Sequence, residues 1–271
     1  MIVGVSGTNG FIGQNLLREL LNTEGIEVIQ FGRTQSELIC DSSNFVQWSL
    51  EDIDYDYDVV PKLDKYFHLA WAGIPNYDDA IHLNQLENHT KFLSAIINKG
   101  CRSVLSSGTC FEYLNPYGEI SEEFPVEGRT NYAIGKLELY KLLQEMTALE
   151  DFQLIWTRIF YVFGEGQPRN TLFGSFRDAI ATGDEEFRIL SGGNRLDYLN
   201  VSQVVKYMIR LLFSDEANGV YNLGSGVGTE LSALLNAWKE QEKSEINIVD
   251  LASTPKKSFW ADISKMRSVL S

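Results

Sequence analysis

A short apolar run over residues 2–5 leads without a break into three evenly spaced glycines, Gly7, Gly10 and Gly13, and then into a segment of helical periodicity. Strand, glycine turn and helix in that order dictate a βα unit whose helix starts at the turn, and the free N–H groups of such a helix start attract phosphate. Over residues 7–13 the motif reads GTNGFIG, which makes Gly7, Thr8, Asn9, Gly10, Phe11, Ile12 and Gly13 the candidate cradle. Gly7 permits the tight turn, Gly10 lets the backbone approach a pyrophosphate, and Gly13 lets helix and strand pack closely.

The pattern continues. β-branched or aromatic runs at residues 27–31, 45–48, 66–69, 103–106 and 153–157 alternate with helical stretches, including residues 15–21, 80–98 and 131–149. Such alternation predicts an α/β fold, a Rossmann-type doubly wound parallel sheet with a smaller C-terminal substrate-binding part. Leu16, Leu17, Leu20 and Leu21 form a stripe that would cover one sheet face. After Gly164 the chain becomes turn-rich, with helices expected over residues 172–181 and 201–213 and one more strand over residues 219–224. The expected division is a dinucleotide-binding domain over residues 1–163, with 197–224 returning to it, and a substrate-binding part from 164–196 and 225–271.

Composition narrows the function. The 271 residues carry a formal net charge of −14, which argues against nucleic acid or an anionic membrane surface as a partner. Three cysteines, Cys40, Cys101 and Cys110, form no CxxC pair, and His68, His82 and His89 lack ligand spacing, so neither a disulfide framework nor a metal is expected. No leader precedes the first apolar run, and the stretch 154–163, interrupted by Arg158, is far shorter than the roughly 18 apolar residues of a membrane span. A cytoplasmic protein is expected. The acidic segment 51–58 reads as a solvated loop, and Lys256 and Lys257 as a solvated turn.

Cofactor choice in such folds is written at the end of the second strand, where a carboxylate would bind the ribose hydroxyl of NAD. Here that strand ends in Gly32 and Arg33. Arg33 can pair with a 2′-phosphate, which favours NADP(H), although a guanidinium also stacks on adenine and leaves NAD open as the alternative.

Tyr132 and Lys136 stand four apart, which on a helix places them on one face. An ammonium beside a phenol favours the phenolate and makes an acid/base tyrosine. Ser107 ends a predicted strand 25 residues before Tyr132, at the sheet edge where such folds bind ligands. Thr109 is the competing hydroxyl.

These motifs, in this order, resemble the extended short-chain dehydrogenase/reductases, in the branch of NAD(P)-dependent nucleotide-sugar epimerases, dehydratases and reductases. The likeness runs through GTNGFIG at 7–13, HLAWAG at 68–73, Asn88, SSGTCFEY at 106–113, YAIGK at 132–136, RIFYVFGEGQ at 158–167, VYNLGSG at 220–226 and ADISKM at 261–266. It implies that Ser107 hydrogen-bonds the substrate oxygen, Tyr132 is the acid/base, and Lys136 lowers the phenol's pKa and binds the nicotinamide ribose. Leu50, Leu69, Ala70, Trp71 and Asn88 would lie along the cofactor. It also implies a homodimer through the helices at 80–98 and 131–149.

Two departures matter. Residues 108–111 lack the acidic pair that dehydratases of this kind use, so dehydration is disfavoured. Where the family places a diphosphate-binding arginine this chain has Leu196, with Arg195 beside it as the candidate replacement alongside Thr109 in the substrate site. The first expectation is therefore an NADP(H)-dependent reductase of a 4-keto-6-deoxy nucleotide sugar, in deoxysugar biosynthesis. A 4-epimerase with tightly bound NAD is the second, and a non-catalytic dinucleotide sensor the third.

Overall fold

The computed structural model describes residues 1–38, 44–52, 54–251 and 257–271; Cys40 and Lys256 lie outside the described residues. The first half alternates strands and helices: β1 (Ile2–Ser6), α1 (Phe11–Leu21), β2 (Glu27–Gly32), β3 (Phe45–Gln47), β4 (Lys65–His68), α2 (Ile81–Asn84), α3 (Leu86–Asn98) and β5 (Ser103–Thr109). It continues through β6 (Gly118–Ile120), α4 (Asn131–Thr147), β7 (Gln153–Ile159) and β8 (Tyr161–Phe163). Then come α5 (Leu172–Thr182), β9 (Glu186–Ile189), β10 (Arg195–Asn200), α6 (Val201–Phe213), β11 (Gly219–Leu223) and β12 (Gly228–Glu230). The last elements are α7 (Leu231–Gln241), β13 (Asn247–Asp250), β14 (Ser258–Ala261) and α8 (Ser264–Leu270).

Among the described residues seven strands form one parallel sheet in the order β3-β2-β1-β4-β5-β7-β11. This is the doubly wound arrangement, with the order reversing beside β1. Both faces are covered, and successive residues of one strand serve opposite cores. Leu105 and Ile155 pack with Leu16, Leu17 and Leu20 of α1 and with α6, whereas Val104, Leu154 and Trp156 pack with Phe92 of α3 and Leu139 of α4. Strand β11, from the second half, hydrogen-bonds to β7 and returns the chain to the main sheet.

A second sheet runs β12-β10-β14-β6, with β8 paired to β10, and β9 pairs with β13. A third apolar cluster, centred on Phe176 of α5 and Leu235 and Trp238 of α7, packs beside β9.

Two expectations are corrected. Leu21 is 44 % exposed: α1 needs only Leu16, Leu17 and Leu20 to cover the sheet. The stretch 80–98 is two helices, interrupted at Gln85, so that α2 is free to place His82 against Trp71 while α3 lies along the sheet. The three-residue β6 joins the second sheet by pairing with β14, although it lies in the first half of the chain.

Candidate active site

The turn between β1 and α1 is built by close approach. A Cβ on Gly13 would stand 2.0 Å from the Gly7 carbonyl oxygen, and Gly7 itself has φ +77° with its Cβ position 2.6 Å from the Leu69 backbone. Gly10 caps α1 without a side chain, so the first-turn N–H groups face the adjoining cleft. A cavity of about 420 Å³ opens beside this turn and is lined by Gly7, Thr8, Asn9, Gly10, Arg33 and Thr34, with Leu50, Leu69, Ala70 and Trp71 across from them. The Asn9 amide donates to the Thr34 hydroxyl at 2.9 Å and ties the glycine turn to the loop that carries Arg33. These features fit a dinucleotide: helix-start N–H groups for the pyrophosphate and an exposed guanidinium at the far end. Asn88 does not line this cavity; its amide donates to the Leu50 carbonyl at 2.7 Å and so holds the loop that does.

A second cavity of about 540 Å³ shares Gly7, Gly10, Leu69 and Trp71 with the first, and contains Phe11, Ile12, Gly13, Ser107, Thr109, Tyr132 and Lys136. Ser107 and Thr109 stand at the carboxyl end of β5, and Tyr132 in the first turn of α4, whose N-terminus Thr130 caps by accepting from Ala133 N–H at 3.3 Å. The Lys136 ammonium donates to the Ser107 carbonyl at 2.6 Å and to its hydroxyl at 3.3 Å. The Thr109 side chain lies beside the Tyr132 phenol and favours its ionised form. Both hydroxyls predicted from sequence are therefore in the cleft, one against each member of the Tyr–Lys pair.

Burial dominates the electrostatics. It pushes the Tyr132 phenol well above its ordinary value, opposed by the neighbouring Thr109 side chain, and pulls Lys136 down to about 7, opposed by the charge of Glu112. The expectation that Lys136 draws the phenol toward neutral pH is thus not what this geometry produces. The ammonium points at Ser107, and its distance to the Tyr132 ring centre is 5.9 Å.

Arg195 lines neither cavity. Its Nε donates to the Gly228 carbonyl at 2.8 Å and its guanidinium lies over Trp260, on the exposed face of the second sheet. A third cavity, of about 720 Å³, adjoins the catalytic one through a shared wall of Tyr77, Cys110, Phe111 and Tyr161, and has Arg129 and Lys257 among its lining residues. Tyr113 is buried, donating to Asn222 Oδ1 at 2.6 Å.

Sequence reasoning passed over Glu112. It is fully buried, accepts from Thr109 N–H at 2.8 Å, and pairs with Arg158 at 2.7 Å, so it fixes the turn that presents Thr109. With its oxygens so engaged it is a brace rather than a free base. The capping spacing from Thr109 to Glu112 was the available signal. Among the described residues no group of three acidic, histidine or cysteine side chains could hold a metal, and no helix is long and apolar enough to cross a membrane.

The NAD dependent epimerase/dehydratase family matches residues 3–224. The chain belongs to that family, and with it to the NAD(P)-dependent enzymes. It is 24 % identical over 270 residues to dTDP-6-deoxy-L-talose 4-dehydrogenase (NAD(+)) of Aggregatibacter actinomycetemcomitans, covering 96 % of this chain and 99 % of that protein. It is 28 % identical over 272 residues to GDP-6-deoxy-D-mannose reductase of Pseudomonas aeruginosa, covering 90 % of this chain and 81 % of that one. Among solved structures, UDP-N-acetylglucosamine 4-epimerase from Methanobrevibacter ruminantium M1, in complex with UDP-N-acetylmuramic acid, superposes with a TM-score of 0.85. Identity is 25 %, over 98 % of this chain and 91 % of that one.

Proposed function

We propose that this member of the NAD dependent epimerase/dehydratase family reduces the 4-keto group of a 4-keto-6-deoxy nucleotide sugar, with NADP(H) as cofactor and NAD as the alternative. The observation that carries this reading is the meeting of Tyr132, Ser107 and Thr109 in one cleft that shares Gly7, Gly10, Leu69 and Trp71 with the first cavity, and burial there raises the Tyr132 phenol above its ordinary value. A phenol held well above its ordinary pKa keeps its proton at neutral pH, which is the state a reduction needs at its start. Epimerisation by oxidation first needs the phenolate at that step. Two of the relatives are named for 6-deoxy sugars joined to a nucleoside diphosphate, one as a dehydrogenase and one as a reductase.

In this reading the turn at Gly7 to Gly13 and Arg33 hold the dinucleotide, which supplies the hydride. Ser107 donates a hydrogen bond to the carbonyl oxygen as negative charge develops there, and Tyr132 gives that oxygen its proton. Thr109 lies beside the Tyr132 phenol, and Glu112 holds Thr109 through its N–H. Lys136 stands against Ser107 and the Trp71 ring in the same cleft. Arg33 supports NADP(H) because an exposed guanidinium lines the first cavity.

The test is a set of dTDP-, GDP- and CDP-linked 4-keto-6-deoxyhexoses offered with NADPH or NADH. Stoichiometric cofactor oxidation with one of them supports reduction. Conversion of a 4-hydroxy nucleotide sugar to its C4 epimer without net cofactor oxidation supports the epimerase reading instead.

A further inference from the structure

The Lys136 ammonium lies 3.8 Å from the centre of the Trp71 ring. Trp71 is fixed from several directions. Its Nε1–H donates to His82 Nδ1 at 3.0 Å, and His82 Nε2 lies 2.7 Å from the Asn76 carbonyl oxygen. Because an indole N–H only donates and a carbonyl only accepts, these two partners select the His82 tautomer with its proton on Nε2. Ring-to-ring, His89 stacks on Trp71 at 4.6 Å and 22°. His89 is joined to His68 at 2.7 Å, and His68 to the Ser6 hydroxyl at 3.2 Å, so the column is anchored in β1. Helix α4 closes the remaining side: a Cβ on Gly135 would stand 2.5 Å from the His82 carbonyl oxygen and 3.3 Å from the Trp71 ring.

We propose that Trp71, pinned by His82 and backed by His89, is a positioning residue that holds the Lys136 ammonium in the cleft beside Ser107. Lys136 is 2 % exposed, so its charge has lost nearly all its water. An aromatic face attracts such a cation through the negative potential over the ring, most strongly when the cation is desolvated. The ionisable groups around it supply little else. Glu112, in the turn after β5, favours the charged lysine but is shared with Arg158 of β7; His68 on β4 and His89 on α3 are held neutral by burial, and Tyr132 on α4 keeps its proton. Trp71 lines both the dinucleotide cavity and the catalytic one, so holding it still fixes Lys136 at their junction. The inference concerns this chain's own lysine and holds whatever sugar or reaction direction the enzyme takes.

The experiment titrates Lys136 directly. In cofactor-free protein labelled with [ε-¹³C]lysine, the Lys136 signal is assigned by its loss in Lys136→Met and followed against pH. Trp71→Leu is expected to move the midpoint down by about one pH unit, because the ring's support for the charged form is gone. Trp71→Phe keeps an aromatic face and is expected to move it less. His82→Leu frees the indole and is expected to shift the midpoint in the same direction, with the far-ultraviolet dichroism of the native fold. An unchanged midpoint in folded Trp71→Leu overturns the proposal. Should Trp71→Leu fail to fold, the His82→Leu midpoint decides alone: a downward shift supports the proposal and coincidence with the parent overturns it.

Discussion

The Lys136 ammonium is bonded to the Ser107 carbonyl oxygen at 2.6 Å, the oxygen at the strand end that faces the cleft. A cation is thereby stationed next to the proposed substrate hydroxyl, at the cost of burying it, and the cost has a pH signature. Lys136 titrates near 7 in the fold against an ordinary value of 10.5. Between those values the unfolded chain binds the proton and the folded one does not, so this group's contribution to stability rises with pH across that window; below it the full penalty of a buried charge remains. Lys136→Met removes the penalty. In cofactor-free protein its stability advantage over the parent should be greatest near pH 6 and shrink by more than about 1 kcal/mol by pH 10. Parallel stability curves from urea unfolding at the two pH values would contradict the assignment.

Tyr132→Phe deletes one oxygen and leaves the ring packed against Trp71 and Tyr77. Turnover should fall about 10²–10⁴-fold, the usual contribution of a positioned acid, while dinucleotide affinity stays within about twofold. Steady-state kinetics and a fluorescence titration of NADPH separate the two effects. Near-normal turnover would remove the tyrosine from the chemistry.

The two cleft hydroxyls have different neighbours, and their removal should differ accordingly. Ser107→Ala takes away the hydrogen bond to the substrate oxygen and should lower kcat by about 10²-fold or more. Thr109→Ala loses a neighbour of the Tyr132 phenol and the side-chain cap that accepts from Phe111 N–H, a smaller loss in rate. The reverse order of kcat values would exchange their roles.

Arg33→Ala should weaken NADPH by roughly 1.5–3 kcal/mol, the range for a hydrogen bond to a charged group, and NADH by much less. Isothermal titration with both cofactors checks this. Equal losses would mean that the guanidinium serves the adenine, which both share.

Local patterns were enough for the glycine turn and for the helix that carries Tyr132 and Lys136, because a turn and a helix face are set by neighbours in sequence. Tyr132 and Lys136 do share the buried face of α4, as their spacing requires. The column of His68, His89, Trp71 and His82 was not legible, since it draws on β4, α2, α3 and the loop between them, and no spacing encodes that meeting. The pKa directions were missed for a related reason. Proximity on a helix shows which charges are near, whereas burial, which here outweighs them, is a property of the whole fold. The surroundings of Arg195 were not legible from its place beside Leu196: strand alternation turns neighbouring residues to opposite faces, and Arg195 lies exposed over Trp260 while Leu196 is buried.

The proposed reduction is tested most directly by following the hydride. NADPH carrying deuterium at the transferable nicotinamide position is incubated with a 4-keto-6-deoxy nucleotide sugar that the enzyme consumes, and the product is examined by proton NMR and mass spectrometry. The account predicts one deuterium at sugar C4 for each NADP⁺ formed, with the label transfer slowed about 10²–10⁴-fold in Tyr132→Phe. Inversion at C4 of a 4-hydroxy sugar with no label gained and no net NADP⁺ would contradict it.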